Sequence, residues 1–419
     1  MAALAATGAF AQSTVEIYGR AHVAYDFTYH TTNGTSTAGG STASNLANRN
    51  RVADDGSRIG FRIREDLGGG LSAFSVIETG INLDTATNNG QSGAANSGSG
   101  FFGTREAHVG VGNSSVELRL GRQNVFWGNG PIEDVSANRL SGGVISSYTA
   151  PSSGLNAAPA ARQDNTVKFF AGSGMGGFAG SEIWFSKPNN AEQTAADKVV
   201  NNTASGVTLR YVTGPFAAQF DTAQNKMSNN GVDTAATYAV TGVTGNAVTT
   251  ALGIATYDST VKGQKLGLAY TYAPGSKVYF INSTFETTFT TASVNNATPL
   301  AGSNLGNTKV ALAGARKQSS NSLGIQHVMG DWELHAQYVN QGNATDYAGA
   351  AIANSGSKAQ SIGARYNLSK RTALTGSYNV INNEAYNNIN SSGGGQSAVA
   401  ALPFGADLKL IRASIQHAF

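Results

Sequence analysis

Trp332-Glu333-Leu334-His335-Ala336-Gln337-Tyr338 alternates large apolar residues with polar ones, and Gly330-Asp331 stands immediately before it. Side chains that change face at every residue have the period of a β-strand lying between two different environments. The same reading holds for Ile362, Ala364, Tyr366 and Leu368 set against Ser361, Gly363, Arg365 and Asn367. Nearer the N-terminus, Ile59, Phe61 and Ile63 alternate with Arg58, Arg62 and Arg64, and Val15, Ile17, Ala21, Val23, Tyr25 and Phe27 share one parity. Around 71–82 and 276–287 either parity could face outward.

Extended along the chain, this reading predicts sixteen strands, at 13–27, 57–66, 71–82, 103–112, 115–123, 164–172, 179–187, 205–213, 216–225, 263–273, 276–287, 319–329, 332–341, 358–368, 372–382 and 406–419. Every second connection is tight and built from turn residues, such as Gly214-Pro215, Pro274-Gly275 and Gly330-Asp331. The others, at 28–56, 83–102, 124–163, 188–204, 226–262, 288–318, 342–357 and 383–405, are long and polar. Seven short turns alternating with eight long loops predict an all-β fold, a transmembrane antiparallel barrel with turns on the periplasmic rim and loops outside. Closure also removes the open sheet edge that hydrocarbon does not tolerate. Aromatics are expected in two girdles, with Tyr211, Phe216, Tyr272, Trp332, Tyr366 and Phe419 at the turn side and Phe27, Phe102 and Phe285 at the loop side.

Composition agrees. The 419 residues include 52 glycines, no cysteine and only 13% charged residues, where soluble chains average about 25% charge. The net charge of +3 and the lack of a basic run argue against nucleic-acid binding. Without cysteine there is no disulfide scaffold, thiol nucleophile or cysteine zinc site. Residues 1–11, ending Ala9-Phe10-Ala11, read as the remnant of a cleaved export signal, which leaves 12–419 as a single barrel domain.

Motifs of enzymes and cofactor sites read as something else. Gly172-Ser173-Gly174-Met175-Gly176-Gly177 fits G-x-G-x-x-G, but a strand follows it where a dinucleotide site needs a helix, so it is taken as a turn. The six histidines lack metal-ligand spacing, and no nucleophile elbow or phosphate-loop lysine is present. No enzyme, metal or cofactor is expected.

If the apolar parity faces lipid, the lumen receives Arg20, Arg58, Arg62, Arg64, Arg119, Lys168, Arg210, Lys265, Arg365 and Arg412 against Glu16, Asp26, Glu117, Glu182, Asp221 and Glu333. Excess positive charge in a narrow wall favours anions weakly, unless the charges pair with one another. A sixteen-stranded barrel leaves an aqueous lumen. The longest connection, 124–163, is the expected inward constriction loop, its Glu133 and Asp134 facing wall arginines Arg58, Arg122 and Arg162. Arg122 has the outward parity of Leu118 and Leu120, so it enters the lumen only if the strand bulges.

Val15-Glu16-Ile17-Tyr18-Gly19-Arg20, Gly56-Ser57-Arg58-Ile59-Gly60-Phe61 and Glu65-Asp66-Leu67-Gly68-Gly69-Gly70 resemble the opening of betaproteobacterial general porins, a group that includes the neisserial porins. Leu120-Gly121-Arg122-Gln123, Arg162 before Asn165-Thr166-Val167-Lys168-Phe169, and the ending His417-Ala418-Phe419 are similar to later segments of that family. Arg64 departs from it, standing where the family usually has glycine. The resemblance implies an outer-membrane homotrimer of barrels embedded in lipid in a Gram-negative bacterium, passive diffusion of small hydrophilic solutes and ions, an inward third loop, and eyelet arginines at Arg58, Arg122 and Arg162, with Arg20 beside them. It also implies that the strand ending at Phe419 is read by the barrel-assembly machinery. A substrate-specific channel of the same architecture, or a barrel displaying loops as an adhesin or receptor, are the alternatives.

Overall fold

The computed structural model describes residues 13–32, 49–84, 103, 105–125, 162–172, 179–187, 203–227, 257–292, 315–345, 349–384, 387 and 405–419. They form seventeen strand segments: β1 (Thr14–Thr32), β2 (Arg49–Asp54), β3 (Arg58–Gly68), β4 (Leu71–Gly80), β5 (Glu106–Gly112), β6 (Val116–Asn124), β7 (Arg162–Ala171), β8 (Ser181–Ser186), β9 (Thr203–Thr213), β10 (Phe216–Met227), β11 (Tyr257–Ala273), β12 (Ser276–Ala292), β13 (Ala315–Met329), β14 (Trp332–Gln341), β15 (Ser357–Asn367), β16 (Thr372–Asn383) and β17 (Ala406–Ala418). All pairings between them are antiparallel, and β17 pairs with β1 to close the wall. Both β2 and β3 pair with β1, on either side of a break at Asp55–Ser57, so the seventeen segments build a closed barrel of sixteen strands.

The ends of several strands differ from expectation. β1 continues to Thr32, β11 begins at Tyr257 and β12 runs to Ala292. Threonine is the commonest residue of these extensions, and above the lipid both faces of a strand meet water, so alternation no longer marks pairing.

Outward parity is apolar across the middle of the wall. Leu266 and Leu268 of β11, Leu323 and Ile325 of β13, and Ile411 and Ile415 of β17 are all exposed on the barrel exterior. At the turn side Phe216 packs against Tyr270 and Trp332 against Tyr366, with centroids 5.0 and 4.8 Å apart. The loop-side girdle needs correction. Phe27 lies there beside Tyr25, but Phe285 is buried and on the inward parity, and Phe102 is outside the described residues.

The two strands of undecided parity resolve inward through Phe74, Val76 and Glu78 on β4, and through Tyr279, Ile281, Ser283 and Phe285 on β12. Their aromatics explain part of the glycine content. Tyr18, Phe74, Trp184 and Tyr279 are each in register with a glycine of the next strand, namely Gly60, Gly110, Gly206 and Gly324. A Cβ on those glycines would lie 2.1 to 2.6 Å from a ring atom, so each ring lies flat on bare backbone. An aromatic covering a cross-strand glycine pins the register of that pair.

Phe419 repeats the device at the seam. Its backbone exchanges hydrogen bonds of 3.0 and 3.1 Å with Gly19, and its ring lies over Gly19, where a Cβ would come within 2.4 Å. Deeper in the seam Arg412 of β17 grips Asp26 of β1 through two bonds of 2.5 and 2.7 Å, both side chains essentially buried.

Candidate functional site

The lumen is the candidate site. Of the six acids expected inside, every one has a basic partner. Glu16 meets Arg62 at 3.3 Å, Glu182 meets Lys168 at 3.1 Å, and Asp221 and Glu333 stand 3.9 Å from Lys265 and Arg365. Glu117 pairs with Arg119, and Asp26 with Arg412. Six of the ten listed bases are therefore taken up in pairs, and the excess lies in Arg20, Arg58, Arg64 and Arg210.

Two of these, Arg20 and Arg58, stand where β1, β3, β4, β5 and β7 meet. Glu78 accepts from Arg105 Nε at 2.6 Å and from the Tyr18 hydroxyl at 3.1 Å, and lies 3.4 Å from Arg58 Nε. Arg20, in register with Arg58, donates to the backbone oxygens of Asp55 and Gly56 at 3.1 Å and interacts electrostatically with Arg58 and Arg105. Arg162 interacts with Arg105, Glu78 and Glu106. Four guanidinium groups thus share this stretch of wall with four carboxylates, Glu78 and Glu106 beside Arg58, Arg105 and Arg162, and Asp54 and Asp55 beside Arg20.

The opposite wall is neutral at this depth. β12 to β16 present Ser283, Ser320, Ser322, Gln337, Ser361 and Asn379 to the interior. Gln337 donates to Tyr279 at 2.7 Å, and Ser361 donates to Asn379 at 2.5 Å. An arginine-rich, densely charged wall facing an amide and hydroxyl wall sets up a field across the lumen, in a region whose low-dielectric walls focus it.

The other expected site residues are placed elsewhere. Arg62 is at the turn-side mouth, half exposed, its guanidinium 3.7 Å above the Tyr18 ring. Lys168 is buried between Glu182 and the Asn124 carbonyl, to which it donates at 2.7 Å. The strand does bulge at Gly121, whose φ is 127°, but Arg122 stays opposite the outward-facing Ala107 and donates to Asp164. Glu133 and Asp134, and most of 124–163, lie outside the described residues.

Three members of the cluster escaped the sequence reading. Glu78 sits in the strand whose parity was ambiguous. Arg105 has outward parity if the strand starts at 103, but β5 begins at Glu106 and Arg105 occupies the bend before it. Glu106 became legible only with the inward parity of His108 and Gly110.

The inner wall also carries apolar residues that strict alternation would have sent outward. Trp184, Val261, Ile281, Val339, Ile381 and Leu408 share the inward parity and are no more than 2% exposed. They are covered inside the molecule and offer no greasy surface to a passing solute. At the turn end a cavity of about 710 Å³ opens between Arg20, Asp331, Glu333, Arg365 and Lys370.

A closed sixteen-stranded barrel with an apolar exterior and a polar interior bearing a charged cluster defines an outer-membrane channel. The model of the Gram-negative porin family matches residues 1–386, and the chain belongs to that family and resides in the outer membrane. Solved structures agree on the fold. The chain resembles the anion-selective porin from Comamonas acidovorans with a TM-score of 0.65 at 19% identity, covering 97% of this chain and 100% of that one. OmpT of Vibrio cholerae gives 0.60 at 12% identity over 97% and 98% of the two chains. OmpF of Salmonella typhi, in complex with daunomycin, gives 0.53 at 15% identity over 97% of each. No curated protein matches the chain significantly.

Proposed function

We propose that this porin passes small hydrophilic solutes by passive diffusion with a weak preference for anions, and that it works as a homotrimer. The observation that carries the preference is the cluster of Arg20, Arg58, Arg105 and Arg162 around Glu78 and Glu106, set against an uncharged wall. Arginine suits this role because its charge persists at all physiological pH and its fork binds carboxylate and phosphate groups in two contacts. A similar fold in a porin described as anion-selective supports the same reading, and another similar structure, of Vibrio cholerae OmpT, is described as a trimer form.

The connection between Val125 and Arg162 leaves and rejoins the wall beside this cluster, so it is the segment best placed to narrow the lumen, with Glu133 and Asp134 opposing the arginines. We assign recognition by the barrel-assembly machinery to the strand that ends at Phe419. Single-channel recording in a planar bilayer tests the function. Conductance steps closing in threes and a reversal potential on the anion side are expected. A silent bilayer would favour a display barrel acting as an adhesin, and saturation by one solute class would favour a substrate-specific channel.

A further inference from the structure

Between the arginine cluster and the turns, the lumen holds a cavity of about 710 Å³, within the range of sites that take up small molecules. Arg20 of β1 belongs both to the cluster and to the wall of this cavity. Arg365 and Asn367 of β15 line it from the inward face of their strand. Asp331, immediately before β14, and Lys370, in the turn after β15, stand exposed at its rim.

Two of the charges around the cavity satisfy each other. Arg365 Nε donates to Asn367 Oδ1 at 2.9 Å, Asn367 Nδ2 donates to Glu333 Oε1 at 3.1 Å, and Arg365 Nε stands 3.9 Å from the Glu333 carboxylate. The amide thus bridges the pair. Three other charges are left open. Among the described residues, Arg20, Asp331 and Lys370 make no ion pair. The Arg20 Nη2 donates to the carbonyls of Asp55 and Gly56 at 3.1 Å, which fixes the guanidinium without neutralising it, and its buried Nε has no hydrogen-bond partner. Asp331 accepts from Asn367 through its backbone oxygen, so its carboxylate stays available.

Two cations and one anion left open around a single cavity are the complement of a molecule that carries two carboxylates and one ammonium. We propose that this turn-side mouth binds amino acids with an acidic side chain, the carboxylates going to Arg20 and Lys370 and the ammonium to Asp331. A dicarboxylate without the ammonium would face Asp331 with nothing to offset it. A neutral amino acid would leave one cation unused. Charge-assisted bonds at three points also fix the orientation of the solute. The assignment rests on the reading of the chain as a channel, because the cavity lies on the path from the arginine cluster to the periplasm.

The test is a ligand-observed NMR titration of the full chain, folded and purified in detergent. Its three ligands are glutamate, glutarate, which lacks the ammonium, and glutamine, which lacks one carboxylate. Binding is read without conduction, so failure of the site and failure of the channel reading are separate results. Glutamate should bind at least threefold more tightly than either analogue, since an exposed charge pair is worth up to about fivefold. D331N should bring glutamate down to the level of glutarate, and K370Q should bring it down to the level of glutamine. K226Q, altered at the loop end, should bind as the parent does. Heat-dependent gel mobility shows that each variant is folded. Equal binding of the three ligands overturns the proposal. Glutamate binding unchanged in either D331N or K370Q overturns it too, because that charge then makes no contact with the solute.

Discussion

Replacing Glu78 with glutamine isolates the charge at the centre of the arginine cluster. The side chain keeps one acceptor oxygen for Arg105 Nε, now 2.6 Å away, its amide nitrogen can donate to the Tyr18 hydroxyl, which now donates to the carboxylate at 3.1 Å, and the charge facing Arg58 at 3.4 Å disappears. For an ion passing about 6 Å from that position, one unit charge is worth about 0.7 kcal/mol in water, and screening at 0.1 M salt leaves about 0.4 kcal/mol. An anion gains this amount and a cation loses it, so the anion-to-cation permeability ratio should rise about fourfold. Lower dielectric in the lumen makes this a minimum. The assay is the reversal potential under a salt gradient in a planar bilayer, repeated near 1 M salt, where a Debye length of about 3 Å should abolish most of the effect. An unchanged ratio at low salt, or a shift toward cations, would refute the placement of the ion path beside Glu78.

Other outcomes follow from the same geometry. R58Q should move selectivity the opposite way by a similar factor, read in the same reversal-potential assay. R412M leaves Asp26 buried without its two strongest bonds and should destabilise the barrel by about 3 kcal/mol or more, seen as a lower midpoint in urea unfolding followed by gel mobility. G324A puts a Cβ 2.1 Å from the Tyr279 ring and should cost about 1–3 kcal/mol in the same unfolding assay, whereas alanine at Gly376, which has open space, should change little. F419A strips the ring from Gly19 and should slow assembly into the heat-resistant form, followed by time-resolved gel shift in lipid vesicles.

Strand number, turn positions and most lumen parities were legible because lipid on one side and water on the other write an alternating code into each strand. The code weakens where one environment is replaced. Strand ends at Thr32, Tyr257 and Ala292 were missed because water bathes both faces there. The inward Phe285 was misleading for a related reason, since the inner wall is partly covered and accepts apolar residues.

The pairing of charges belongs to tertiary structure alone. Asp26 and Arg412 are 386 residues apart, and only barrel closure brings them together. The arginine cluster likewise draws one residue from each of several strands, with Arg105 turned inward by a bend and Glu78 assigned by register. Sequence periodicity is local, reporting which face of its own strand a side chain occupies. Which side chains then meet depends on register and curvature summed around the wall, and that decided how the lumen comes to gather its arginines in one patch.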